Sequence, residues 1–155
     1  MATGAGVMAQ NCRQITKLGA TRSSSMNTIA LICTAILGLL LFGLGFAVSG
    51  TRFRERTMSG HHSQPDHLLT KLVRAHGNTA EYVPFLALLF LYLGAHNPSS
   101  WQVLCMIGAT VCRLLVVVGL LVWPTMSKPN PARFVGALGT YAFGAALCVA
   151  LLSGA

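Results

Sequence analysis

The residues from Pro65 to His96 read PDHLLTKLVRAHGNTAEYVPFLALLFLYLGAH. Their unbroken apolar part, Val83 to Gly94, would reach only about 18 Å as a helix. The hydrocarbon core of a bilayer is about 30 Å thick. A spanning helix here must therefore take in the HGNTAEY segment and Arg74. With Arg74 set at zero and about 100° per residue, Asn78 falls near +40°, Glu81 near −20° and Tyr82 near +80°. Lys71 falls at roughly +60° and His67 at roughly +20°, so all six polar groups share one sector of about 100°. Phe85 continues that sector as an apolar face, while His76 lies at about 200°, opposite it.

Three further segments have the length and polarity of membrane spans. Asn27 to Gly50 carries no charge and would extend about 36 Å as a helix. Trp101 to Trp123 has a tryptophan at each end, about 33 Å apart, as the aromatic belts of two interfaces require. A fourth run, from Pro131 to Ser153, opens with proline at a helix N1 position. Along it Ala132, Gly136, Thr140, Gly144 and Cys148 recur every four residues, a small-residue ridge against which another helix can pack closely. That helix could belong to this chain or to a neighbour.

Composition agrees with a membrane protein. Of 155 residues, 54% are hydrophobic and only 9% charged, too few to coat a soluble globule, which carries roughly 25%. The fold expected is all-α: a four-helix transmembrane bundle with helices at about 27–50, 66–96, 101–123 and 131–153. It forms one membrane domain over 26–155. Residues 1–25 are basic and free of acidic groups, the composition of a targeting presequence or a disordered tail; translation could also start at Met26. The net charge of +8 lies mostly in loops and helix ends, which points to topology and anionic lipid rather than nucleic acid. The five cysteines (Cys12, Cys33, Cys105, Cys112 and Cys148) follow no metal or disulfide spacing and read as packing residues. His61, His62 and His67 lack further ligands nearby and read as a solvated loop rather than a metal site.

Lys and Arg gather in loops 51–65 and 124–130, which the positive-inside rule puts in the cytosol. Arg13, Lys17 and Arg22 contradict that orientation unless the first 25 residues are removed or not made. Inside the membrane, Arg74, Lys71 and Arg113 face one carboxylate, Glu81. Bare charge at that depth is costly and seeks a protein interior or a wet cavity. The positive surplus predicts an anionic ligand there. Pro84 interrupts the hydrogen bond to Ala80 and would open space beside Glu81 and Tyr82.

The string Arg74-Ala75-His76-Gly77-Asn78-Thr79-Ala80-Glu81-Tyr82-Val83-Pro84 resembles the signature of the MAPEG superfamily, membrane-associated proteins in eicosanoid and glutathione metabolism. The likeness spans about residues 26–153 and is nearest to bacterial-type members. It implies a homotrimer binding glutathione between subunits near the cytosolic side. Arg74, Asn78, Glu81 and Tyr82 would contact glutathione from one subunit, and His76 would reach the adjacent site. Arg52 or Arg54 would offer a cation to a glutathione carboxylate; the charge count, rather than the resemblance, puts Arg113 among the residues expected to bind the ligand. Arg133 would be the arginine that stabilises the thiolate, the nucleophilic form of a thiol with pKa about 8.5.

Where leukotriene-forming relatives carry tyrosines on the third helix, this chain has Val116, Val117, Val118, Gly119 and Leu120. The leading expectation is a glutathione-dependent transferase or peroxidase acting on lipophilic electrophiles or lipid hydroperoxides. The alternatives are a non-catalytic lipid-binding scaffold of the same fold and a small ion or solute transporter.

Overall fold

The computed structural model describes residues 26–57, 64, 66–124 and 130–153. The sequence readings on residues 1–25, Cys12, His61 and His62 lie outside them. The described residues form four helices: α1 (Thr28–Arg54), α2 (Leu68–Ala95), α3 (Ser100–Val122) and α4 (Pro131–Ser153). All four are long and apolar enough to cross a membrane.

Each start has a local cause. Asn27 caps α1, its Oδ1 accepting from the N–H groups of Ile29 and Ala30 at 3.0 and 3.2 Å. Asn97 takes a positive φ of 52° in the turn after α2, a conformation that asparagine tolerates better than most residues. Gln102 Oε1 then accepts from the Ser99 N–H at 2.8 Å and closes the first turn of α3. The α1 helix runs past the expected end at Gly50, so Arg52 and Arg54 sit on its last turn rather than in a loop. Cations are favourable there, against the negative end of the helix dipole.

The closest packing joins α1 to α2 and α3 to α4. At one end of the first pair, a Cβ on Gly94 would lie 2.6 Å from the Ala30 Cβ, so only glycine permits the approach. In the second pair, a Cβ on Gly136 would meet the Cys112 carbonyl and Val116 at 2.8 Å. The Gly136 part of the small-residue ridge is thus spent within the chain, against α3. Phe42, Phe46, Leu104, Val111, Phe134 and Leu152 are exposed on the outside, as a surface dissolved in lipid tails requires.

Two apolar clusters fill the interior. One joins Leu37, Leu86, Phe90, Met106 and Leu147; the other joins Leu44, Leu72, Val116 and Leu120. Between their positions on α2 and α3 lie Asn78, Thr79, Thr110 and Arg113. Thr79 and Thr110 satisfy their hydroxyls on their own helices, on the Ala75 and Met106 carbonyls at 2.7 and 2.8 Å. Arg113 is different: it crosses to α2.

Candidate functional site

The polar face of α2 borders a cavity of about 560 Å³ whose other walls are α3 and α4, within the usual range for ligand sites. Arg74, Asn78 and Glu81 line it from α2, Val116 and Leu120 from α3, and Arg133 and Tyr141 from α4. Glu81 lies about 10 Å along α2 from Arg74, and Tyr141 about 12 Å along α4 from Arg133. The chamber therefore has guanidiniums toward the loop end and a carboxylate and a phenol deeper in. Two guanidiniums face one carboxylate. Arg74, Glu81 and Arg133 make no ion pair among the described residues.

Arg113 stands behind this cavity rather than in it. It is 1% exposed, and its guanidinium donates to the Asn78 carbonyl at 3.0 Å and to Asn78 Oδ1 at 2.8 Å. Its Cζ lies 4.9 Å from the centre of the Tyr82 ring, a cation–π distance. An arginine can only donate, so the Asn78 oxygen must face it and the amide N–H groups are left toward the cavity. Arg113 thus orients two of the α2 residues that the sequence singles out.

Two members of the polar stripe have other tasks. Lys71 is buried, and its ammonium donates to the carbonyls of Trp123 and Pro124 at 2.8 and 3.0 Å. Those carbonyls end α3 and have no intrahelical donor, so Lys71 is consumed as a helix cap. His67 caps α2, its Nδ1 accepting from the Leu69 N–H at 3.3 Å, and its Nε2 lies 3.7 Å from Glu55. The positive surplus in the chamber therefore comes from Arg74 and Arg133, not from Lys71 and Arg113. An angular sector alone does not distinguish a side chain lining a cavity from one reaching along the helix to a neighbour.

The start of α4 sets Arg133. Asn130 Oδ1 accepts from the N–H groups of Ala132 and Arg133 at 2.9 and 3.4 Å, while its Nδ2 donates to the Gly119 carbonyl at 2.6 Å. A Cβ on Gly119 would stand 3.0 Å from the Arg133 nitrogen. The absent side chain at Gly119 and the Asn130 clamp together press the first turn of α4 onto α3.

Tyr141 was not among the expected residues. Its hydroxyl lies 3.2 Å from that of Tyr82, with ring centres 5.7 Å apart. A signal was present: Arg133, Ala137 and Tyr141 recur every four residues, one position along from the small-residue ridge, and all three line the cavity. Beyond Tyr141 an apolar groove of about 370 Å³ runs between α2 and α4, walled by Phe85, Leu89, Gly144 and Cys148 among others. The α2 helix continues unbroken through Pro84, which does not line this groove.

His76 occupies the opposite face of α2, as its angle requires. It shares a separate groove of about 690 Å³ with Arg52, Phe42 and Phe46, and a Cβ on Gly45 would stand 3.3 Å from its Nε2. Arg54 is exposed and lines none of these hollows. His76 and Arg52 are thus together, but apart from the chamber that holds Arg74 and Arg133. Among the described residues no cluster of His, Cys, Asp or Glu could hold a metal ion.

Comparison with curated proteins and with solved structures returns no match. The pattern of the MAPEG family matches residues 30–153, which takes in the four helices but for the first two residues of α1, and every residue of the chamber. The chain, a four-helix, multi-pass membrane bundle, belongs to the MAPEG family.

Proposed function

We propose that the protein is a membrane-bound, glutathione-dependent transferase or peroxidase that acts on lipophilic electrophiles or lipid hydroperoxides. The observation that carries this reading is one chamber in which Arg74 and Arg133 face the single carboxylate Glu81. Glutathione has two carboxylates, one ammonium and one thiol, and the chamber offers partners for each. Arg74 and Arg133 suit the carboxylates or a thiolate, Glu81 suits the ammonium, and the Asn78 amide donates to a carbonyl. Charge-assisted contacts of this kind are the strong ones. The groove beside Tyr141 suits an apolar co-substrate arriving from the bilayer, so that reactants from two phases are held together.

A homotrimer accords with the exposure of the charged face. Arg74 and Glu81 are exposed in the single chain, and Glu81 lies about 20 Å from either end of α2. A charge open to lipid at that depth costs several kcal/mol, and a neighbouring subunit would cover it. The groove of His76 and Arg52 lies on the far face of α2, where it would look into a neighbour's chamber. The His-Gly-Asn sequence at 76–78 supports a bacterial-type member. Arg74 and Arg133 lie toward the end of the bundle that carries Arg52 and Arg54, which supports glutathione arriving from the cytosol.

A non-catalytic lipid-binding scaffold is favoured by one observation: Val116 and Leu120 give the α3 wall no polar group. A glutathione titration followed by ultraviolet thiolate absorbance separates the two. The transferase reading expects thiolate on wild type, loss of binding in Arg74→Ala, and in Arg133→Ala loss of conjugation of chlorodinitrobenzene. Binding without thiolate or conjugate is the scaffold's result.

A further inference from the structure

The chamber and the lipid-side groove meet at two side chains that line both, Glu81 and Tyr141. Arg133 and Arg74 line only the chamber; Phe85, Gly144 and Cys148 line only the groove. A sulfur bound in the chamber can meet an electrophile held in the groove only where the two spaces join. Of the two residues there, Glu81 is an anion and repels a thiolate, whereas Tyr141 carries a hydroxyl that can donate to one.

The hydroxyl pair leaves that proton available. Tyr82 and Tyr141 lie 3.2 Å apart at their oxygens, so one O–H is used between them and the other is left for a third partner. Tyr82 is held in place by Arg113 against its ring. When Tyr82 donates to Tyr141, the Tyr141 proton points to whatever occupies the junction.

We infer that Tyr141 is a catalytic residue whose hydroxyl donates a hydrogen bond to the glutathione sulfur where the chamber opens into the α2–α4 groove. The inference rests on the transferase reading above. The thiol gives its proton to water, and the Tyr141 hydroxyl favours the thiolate, with the Arg133 charge about 12 Å away along α4 adding to it. A sulfur lone pair forms the new carbon–sulfur bond, and the leaving group departs with the electrons of the bond that breaks. Tyr141 keeps its proton throughout. In this chain α4 thus supplies a phenol to a cavity whose α3 wall, at Val116 and Leu120, supplies none.

The test uses the full chain in proteoliposomes, with glutathione and chlorodinitrobenzene as probes. Tyr141→Phe keeps the ring and removes the donor. The expected result is a fall in kcat of about ten-fold or more, the worth of a hydrogen bond to a charged acceptor. The rising limb of the pH profile moves up by about one unit, and KM for glutathione stays within about two-fold. Site-specific fluorotyrosine at position 141, a stronger donor of nearly the same size, moves that limb the opposite way. If the wild type turns over but neither substitution moves the limb, Tyr141 does not touch the sulfur and the transferase reading stands. A wild type that binds glutathione without thiolate or conjugate overturns both.

Discussion

Arg113 on α3 grips Asn78 on α2 twice, once at the main-chain carbonyl and once at the side-chain oxygen, at 3.0 and 2.8 Å. A buried guanidinium is costly, and this one has its Nε without a hydrogen-bond partner among the described residues. What it obtains in exchange is orientation: the Asn78 amide can present only its donors to the chamber, and Tyr82 has a cation against its face.

That arrangement predicts an unequal outcome for Arg113→Met. The volume is nearly kept, and the burial cost of the charge vanishes along with its hydrogen bonds. Stability in detergent, measured by thermal unfolding, should stay within about 2 kcal/mol of wild type. Glutathione affinity, measured by calorimetry, should fall about ten-fold as Asn78 loses its fixed amide. Unchanged affinity would remove Asn78 from the binding residues.

Lys71 predicts the reverse. Its ammonium ends α3 through Trp123 and Pro124 and does not line the chamber. Lys71→Met should cost roughly 1–3 kcal/mol of stability by leaving those carbonyls unsatisfied. Glutathione affinity should change little, because the site and the cap share no partner. A large loss of affinity at unchanged stability would restore Lys71 to the ligand.

These two residues show how far the sequence could be read. Span lengths, paired tryptophans and the scarcity of charge are one-dimensional signals, so four helices and their approximate ends were legible. The α2 face was legible because helical periodicity is fixed by backbone geometry. Which of its members line a cavity depends on reach and on neighbouring helices. Lys71 reaches along α2 to α3, and Arg113 is intercepted by Asn78, and neither event has a local signature. Tyr141 was hidden for a related reason: only the α2–α4 approach shows that its row on α4 faces Glu81.

Gly119 offers a steric test of how Arg133 is placed. An alanine Cβ there would stand 3.0 Å from the Arg133 nitrogen and 3.3 Å from Asn130 Nδ2. Gly119→Ala should cost about 1–3 kcal/mol through overpacking and weaken glutathione binding as the first turn of α4 is pushed off α3. Gly43→Ala, where a Cβ meets nothing within 4 Å, serves as the control and should lie within about 0.5 kcal/mol of wild type. Equal effects of the two would mean that the close approach at Gly119 does not set the site.

The groove between α2 and α4 can be filled without touching the chamber. A Cβ on Gly144 would meet only Leu86 Cδ2, at 3.8 Å, an ordinary contact, so Gly144→Ala should fold and bind glutathione as wild type does. In Gly144→Leu the added atoms project into a groove of about 370 Å³. On the proposed function, a long-chain electrophile then loses the space for its tail, while chlorodinitrobenzene needs little more than the junction at Tyr141. KM for the long-chain substrate should rise about ten-fold, the scale on which an apolar pocket discriminates by a few methylenes. Glutathione affinity should be unaffected, because Gly144 does not line the chamber. If both electrophiles suffer equally, the tail does not lie between α2 and α4, and lipophilic substrates must approach the sulfur from another side.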